Sequence, residues 1–258
     1  MADLTGKVAI VTGAGRGIGR TIAHTLARQG MRVGINDVNP AAVQQVVDEL
    51  NALGCLALPL VASVTDEAQV ESMFDRAEAE LGPLWLLVNN AGVFNAAPTA
   101  ELSVEMWDSA FDVDAKGVFL CSRAAIRRMI PRHQGRIVNF GSIAGQIVRT
   151  AQIAYCAAKA AVIHFTRCLA VEVAPYGITV NCLCPGMTWT DMLQVSAKER
   201  SLNLEAMTEM IPSGRMAREK DHANLVAFFA GDASAHITGQ VVAVDGAQSL
   251  FHPLQMKH

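Results

Sequence analysis

Long apolar runs, metal-ligand spacings and surplus charge are all missing from this 258-residue chain. No apolar stretch approaches the roughly 18 residues that mark a bilayer-spanning helix, and no positively charged segment leads into an apolar one at the N-terminus. The expectation is a soluble, cytoplasmic protein without a membrane partner. Lys and Arg total 21 against 24 Asp and Glu, a net charge of −3 that argues against general nucleic-acid binding. The six cysteines (55, 121, 156, 168, 182, 184) contain no Cys-x-x-Cys, and the seven histidines show no ligand spacing, so no metal centre is expected. Buried reduced thiols fit a cytosolic compartment. Cys182 and Cys184 alternate along one expected strand and so point to one face. Internal repeats, low-complexity segments and Pro/Gly/Ser-rich linkers are absent too, which makes one domain over residues 1–258 the economical reading.

What the chain does have is apolar residues, 51% of the total against 17% charged, arranged in short blocks. β-branched runs read as strands over Lys7–Thr12, Arg32–Asp37, Cys55–Val61, Trp85–Asn89, Arg136–Gly141, Thr179–Cys184 and Gln240–Val244. Helical stretches alternate with them near 17–29, 40–53, 66–81, 103–130, 152–174 and 219–231. Strict alternation predicts an α/β fold, a parallel sheet with helices on both faces. The stretch from 188 to 217 breaks the pattern. It carries Met192, Met207 and Met210, is long for a loop, and reads as a lid over a ligand or a surface insertion. The basic cluster Arg127, Arg128, Arg132, His133 and Arg136 flanks Pro131 and reads as a solvated face at a helix end.

Thr12-Gly13-Ala14-Gly15-Arg16-Gly17-Ile18-Gly19 joins the first strand to the first helix. Glycines there permit a tight turn and let backbone approach a pyrophosphate, whose charge the helix N-terminus favours. The spacing is Thr-Gly-x-x-x-Gly-x-Gly rather than Gly-x-Gly-x-x-Gly. Asp37 closes the second strand, where a carboxylate accepts from ribose hydroxyls and repels a 2′-phosphate. Val38 follows it and brings no cation; Arg16 is the one candidate phosphate partner, unless it pairs locally with Asp37. NAD is therefore favoured over NADP.

Tyr155 and Lys159 stand at i and i+4, so they share one helix face. A nearby ammonium favours phenolate and is expected to lower a phenol pKa that is otherwise roughly 10. Ser142 lies just past the apolar run Ile137-Val138-Asn139-Phe140-Gly141.

With the glycine loop, Asn89-Asn90-Ala91-Gly92, Ser142, Tyr155-x-x-x-Lys159, Pro185-Gly186 and Asp245-Gly246 in this order, the chain resembles the short-chain dehydrogenase/reductase family over almost its whole length. The resemblance implies an α/β single-domain Rossmann fold, a seven-stranded parallel sheet of order 3-2-1-4-5-6-7 with helices on both faces. It further implies that Tyr155 is the catalytic acid/base, that Ser142 steadies the substrate oxygen, and that Lys159 holds the nicotinamide ribose. It also implies cofactor contacts from Gly13, Arg16, Gly17, Ile18 and Gly19, from Ser63 and Val64, and from Asn90, Ala91 and Gly92 along the adenosine. Pro185 and Gly186 follow, with Thr190 and the Thr188 backbone on the carboxamide. A homotetramer, or failing that a homodimer, is implied as well, with helices 103–130 and 152–174 and the C-terminal strand at its interfaces and the tail Phe251–His258 either reaching a neighbour or disordered. Two departures stand out. Asp114 occupies the position of an Asn whose main-chain carbonyl holds a proton-relay water, and its carboxylate is expected to offset the Lys159 cation. Ser63 replaces an Asp that contacts the adenine amino group, which predicts looser adenine binding.

The resemblance places the substrate among Asn95, Ser142, Gln146, Arg149, Gln152, Tyr155, Met187 and Trp189, with Phe94 beside them. Three amides and an arginine point to a sugar, polyol or hydroxy acid. Trp189 and the lid methionines equally fit a cyclic apolar alcohol or ketone. Other readings are a 3-oxoacyl reductase, disfavoured by Asp37, and a nucleotide-binding regulator without chemistry, disfavoured by the intact Ser, Tyr and Lys. A sugar epimerase or dehydratase is disfavoured because so little chain follows Thr190.

Overall fold

Seven apolar segments pair side by side in parallel, in the computed structural model that describes residues 4–190, 193, 194, 197 and 202–250. They are β1 (Val8–Val11), β2 (Arg32–Asp37), β3 (Ala57–Val61), β4 (Leu84–Asn89), β5 (Gly135–Phe140), β6 (Ile178–Pro185) and β7 (Val241–Val244). Their order is β3-β2-β1-β4-β5-β6-β7, as the family resemblance implied. Central strands are buried on both faces, hence the unbroken Val-Ala-Ile-Val of β1. On one face, α1 (Gly17–Arg28), α2 (Pro40–Ala52) and α8 (Glu219–Ala230) bury Ile22, Leu26, Val46, Leu50, Val226 and Phe229. On the other, α3 (Glu67–Leu81), α5 (Gly117–Met129) and α6 (Ile153–Val173) bury Phe74, Leu81, Leu120, Met129, Leu169 and Val173.

Chain order reverses direction between β1 and β4, which are neighbours in the sheet. The turns after these two strands open a crevice at their carboxyl ends, the place where open α/β sheets bind ligands.

Element bounds fall within about two residues of the sequence expectation, with one correction. The helix expected over 103–130 is not uniform. α4 (Val104–Phe111) passes through a π-helical turn, Asp112–Lys116, into α5, and Ile130–Arg132 ends it as a 3₁₀ turn. A π-turn inserts one extra residue into the helix, a distortion frequent at functional sites, and here it carries Asp114. By length and composition alone Ile153–Tyr176 is apolar enough to cross a membrane; in this fold it packs on β6 and carries the buried Lys159.

The basic cluster is only in part the solvated face expected from sequence, since Arg127 and His133 are exposed but the other three are not. Arg127 and Arg128 each reach Glu71 at 3.1 Å, and Arg132 reaches Glu78 at 2.9 Å, tying α5 to α3. Arg136 is buried with its guanidinium over the Trp85 ring. Acids 50 or more positions upstream supply these partners, so local spacing hides them. Nor are all the thiols interior, because Cys168 lies on the outward side of α6.

The 188–217 segment is anchored at its base by Thr188–Trp189, which pairs with Ala217–Arg218. It holds the short helix α7 (Leu204–Glu209). Met192 and the tail Phe251–His258 lie outside the described residues.

Candidate active site

β1 delivers the glycine loop. Gly13 and Gly17 adopt φ of +61° and +57°, the left-handed region that favours glycine, and a Cβ on Gly13 would meet Ala91 Cα at 2.8 Å. Asn90, placed by the resemblance along an adenosine, directs its side chain to the loop itself. Its Nδ2 donates to the Thr12 and Gly13 carbonyls at 2.9 and 3.0 Å. The Thr12 hydroxyl accepts the Asn90 and Ala91 N–H groups at 3.0 Å. Thr12 is a brace that the glycine spacing does not reveal.

α1 begins at Arg16 without a side-chain cap and without an acidic residue in its first turn. α2, α3 and α4 are each capped, by Asn39, Asp66 and Ser103. The uncapped N–H groups of α1, next to a glycine turn, fit the pyrophosphate of a dinucleotide. Asp37 accepts the Gly15 N–H at 3.2 Å and the Asn39 N–H at 3.1 Å, which fixes its carboxylate at the mouth of the loop. Arg16 is exposed and forms no ion pair with it. Ser63 is engaged locally, its hydroxyl 2.9 Å from that of Thr65, and Val64 packs under Gly117.

β5 ends at Phe140, and Ser142 caps the 3₁₀ turn that follows. Its Oγ accepts the Ala144 N–H at 3.1 Å, which leaves the hydroxyl proton free to donate. Tyr155 and Lys159 come from the first two turns of α6. The Lys159 ammonium donates to the Phe140 carbonyl at 3.1 Å and lies 5.7 Å from the Tyr155 ring centroid. Phe94 packs edge-on against Tyr155, centroids 5.2 Å apart. Beneath them a buried polar chain runs from Ser122 through Asn89 and Asn139 to Thr166, tying β4 and β5 to α6. Sequence reading missed this network, since each member alone looks like an ordinary core polar residue.

Asp114 projects from the π-turn and is fully buried. Its Oδ1 accepts the Val93 N–H at 2.9 Å and lies 3.7 Å from Lys159 Nζ, while Oδ2 has no partner among the described residues. Gly92 lies over this pair, and a Cβ there would meet Asp114 Oδ1 at 2.8 Å. Burial raises the Asp114 carboxyl above the usual range even against Lys159. Burial alone would lower Lys159, yet Asp114 and Tyr155 raise it, so the ammonium is secure. The expected lowering of the Tyr155 pKa is not found. Burial holds the phenol above its ordinary value; Lys159 and a hydrogen bond from Ser142 pull it down, and Asp114 pushes it further up.

The remaining residues expected around a substrate are less tightly gathered. Asn95 donates its amide to the Met106 carbonyl at 3.1 Å, and Gln146 Nε2 lies 3.6 Å from Cys184 Sγ. Gln152 is the N-cap of α6 without a side-chain bond. Arg149 is half-buried in the loop between Ser142 and Tyr155 and forms no ion pair with any described residue. Trp189 lines a cavity of about 660 Å³ with Thr21, Thr208, Met216 and Glu219, a lining that does not include Ser142 or Tyr155.

A family model described as short chain dehydrogenase matches residues 7–201. The chain belongs to the short-chain dehydrogenase family. Members bind a nicotinamide dinucleotide and act as oxidoreductases, which accords with the open N-terminus of α1. The chain is 38% identical over 254 residues to a 2,3-dihydro-2,3-dihydroxybenzoate dehydrogenase of Bacillus subtilis, covering 96% of this chain and 97% of the relative. It is 39% identical over 244 residues to the 3-oxoacyl-acyl-carrier-protein reductase FabG of Escherichia coli, covering 95% and 98%. Among solved structures, a gluconate 5-dehydrogenase from Burkholderia cenocepacia, in complex with NADP and tartrate, superimposes with a TM-score of 0.91 at 32% identity. That match covers 96% of this dehydrogenase and 97% of the other chain.

Proposed function

We propose that this dehydrogenase interconverts a secondary alcohol and a ketone, or a sugar hemiacetal and its lactone, with NAD preferred to NADP. The observation that carries the reading is the meeting of Ser142, Tyr155 and Lys159 at the carboxyl end of the sheet, with the ammonium held against Phe140. The nicotinamide, when bound, supplies the hydride acceptor or donor at the carbinol carbon. Tyr155 takes the substrate hydroxyl proton in oxidation and returns it in reduction. Ser142 donates to the same oxygen and steadies its developing charge. Lys159 keeps a full positive charge beside the phenol. Asp114 is a positioning residue that fixes the ammonium and restrains how far it acidifies Tyr155.

NAD preference rests on Asp37, whose carboxylate at the loop mouth repels a 2′-phosphate, with exposed Val38 rather than a cation beside it. The NADP held by the gluconate 5-dehydrogenase makes a direct comparison of NAD and NADP turnover the deciding test.

A polar hydroxylated or anionic substrate is favoured by Arg149. A half-buried guanidinium without a carboxylate gains a partner when a substrate brings one. The Bacillus relative is, by name, a dehydrogenase of a hydroxylated carboxylate, and the Burkholderia structure holds tartrate. The second reading, 3-oxoacyl reduction, is favoured by the 39% identity to FabG. A substrate panel of sugar acids, polyols, cyclic alcohols and 3-oxoacyl thioesters separates the two. Turnover on hydroxy acids, with KM raised about tenfold or more in Arg149→Gln, is expected; turnover on thioesters alone, with NADPH, would contradict it. The enzyme is proposed to work in the cytoplasm as a homotetramer, joined through the apolar surface of Val104, Trp107 and Phe119 on α4 and α5 and Val171 on α6.

A further inference from the structure

His222, on α8, has no exposed surface, and its Nε2 lies 2.8 Å from the Thr188 hydroxyl. That hydroxyl donates its own proton to the Gly186 carbonyl at 2.9 Å. The contact is therefore satisfied when His222 Nε2–H donates and Thr188 Oγ accepts, leaving Nδ1 as a bare acceptor. Nδ1 is buried with no partner among the described residues. From the other side, Gln248 accepts the Met187 N–H on its Oε1 at 3.0 Å. Gln248 is also buried, and its Nε2 lacks a partner in the same way. The Met187 carbonyl accepts from Ala217 at 2.9 Å, and the Gly186 N–H donates to Val244 at 3.1 Å.

Two long polar side chains, drawn from α8 and from the C-terminal turn, thus converge on three successive residues just past β6. Each keeps one buried polar atom unpaired, which is unfavourable. Aliphatic side chains would fill both places without that penalty. What His222 and Gln248 retain in exchange is a hydrogen bond to the Gly186–Thr188 segment.

We propose that His222 and Gln248 are positioning residues for the cofactor, clamping Gly186–Thr188 from behind so that the Thr188 backbone is preset to receive the nicotinamide carboxamide. The proposal rests on the reading that this loop holds the nicotinamide end of the dinucleotide. Its neutral ring makes His222 a fixed donor, since burial pushes its pKa down to about 4.

A clamp on one end of the cofactor has a signature that general loosening of the fold lacks. Binding of NADH should weaken, whereas ADP-ribose, which has the pyrophosphate and adenosine but no nicotinamide, should bind as before. The test is fluorescence or calorimetric titration of the purified protein with NADH and with ADP-ribose. Wild-type protein should bind NADH more tightly than ADP-ribose. His222→Leu, close in size but without a donor, should weaken NADH about tenfold or more and leave ADP-ribose within about twofold. His222→Gln, which returns a donor near the Nε2 position, should recover most of the loss. If His222→Leu does not fold, Thr188→Val removes the other end of the same bond and should show the same selective loss. Equal weakening of both ligands, or a lower melting temperature with NADH affinity unchanged, would overturn the clamp and leave a packing role. Wild-type protein that binds NADH no better than ADP-ribose would instead overturn the reading of the loop, and the clamp with it.

Discussion

Asp114 and Lys159 face each other in a dry part of the molecule, and their balance sets what Tyr155 can do as an acid or base. The carboxylate is 3.7 Å from the ammonium, near enough to oppose its field at the phenol. Both burial and Asp114 raise the Tyr155 pKa, and Lys159 with Ser142 lowers it. Removing the carboxylate charge while keeping the shape should leave the cation less opposed. In Asp114→Asn the acid limb of the pH–rate profile for oxidation is therefore expected to move to lower pH. An unmoved limb would refute the opposing role of Asp114. His222 makes a second prediction at this scale. Its pKa is 6.5 in ordinary surroundings and about 4 in the fold, so between these values the unfolded chain binds the proton first. Stability is full above about pH 6.5 and declines as pH falls toward 4, by up to about 3 kcal/mol from this group, partly eased by Asp221. Urea unfolding at pH 7 and pH 4.5 should show a smaller acid loss in His222→Leu than in wild type; equal losses would contradict the assignment. Of these residues Tyr155 and Lys159 stand out in the sequence because i and i+4 share one helix face, and Ser142 because it follows an apolar run; Asp114 is marked only by the family resemblance. His222 and Gln248 are not marked at all. Their partners are 34 and 61 positions away, and no local pattern marks such pairs.

At the scale of elements, the glycine turn and the bare start of α1 work together. Gly13 combines a φ of +61° with backbone at 2.8 Å from the place a Cβ would occupy, so the cost of a side chain is both strain and collision. Gly13→Ala should destabilise the protein by about 1–3 kcal/mol and weaken NADH and ADP-ribose alike, in contrast to His222→Leu. Unchanged affinity for both ligands in a folded Gly13→Ala protein would contradict the placement of the dinucleotide on this turn. Period made most elements readable, with short β-branched blocks marking the strands and longer mixed stretches between them marking the helices. The π-turn escaped notice because one extra residue in a 28-residue apolar and polar mixture leaves the periodicity nearly unchanged. The partners of Arg128 and Arg132 were hidden for a related reason, since helix spacing displays a basic face but not Glu71 and Glu78 packed against it.

For the whole molecule, strand order brings five separate segments to one crevice: the turn after β1, Asn90–Gly92 after β4, Ser142 after β5, the start of α6, and Gly186–Thr190 after β6. Apart from Ser142 and the start of α6, these segments are far apart in sequence, yet parallel pairing puts every strand's carboxyl end on the same side. Alternation with right-handed crossovers makes a parallel sheet predictable, whereas the residues grouped at its carboxyl end are implied by the family resemblance. The substrate side is less determined, because it draws on loops and on the 188–217 segment, where side-chain direction depends on packing rather than period. The most direct test of the central claim is nicotinamide absorbance during turnover of a hydroxy acid or polyol, with NAD and with NADP, for wild type and Tyr155→Phe. Turnover should favour NAD and fall by about 10²- to 10⁴-fold in Tyr155→Phe, with NADH affinity retained. Equal turnover by wild type and Tyr155→Phe would contradict the assignment of Tyr155 as the acid/base on which the account depends.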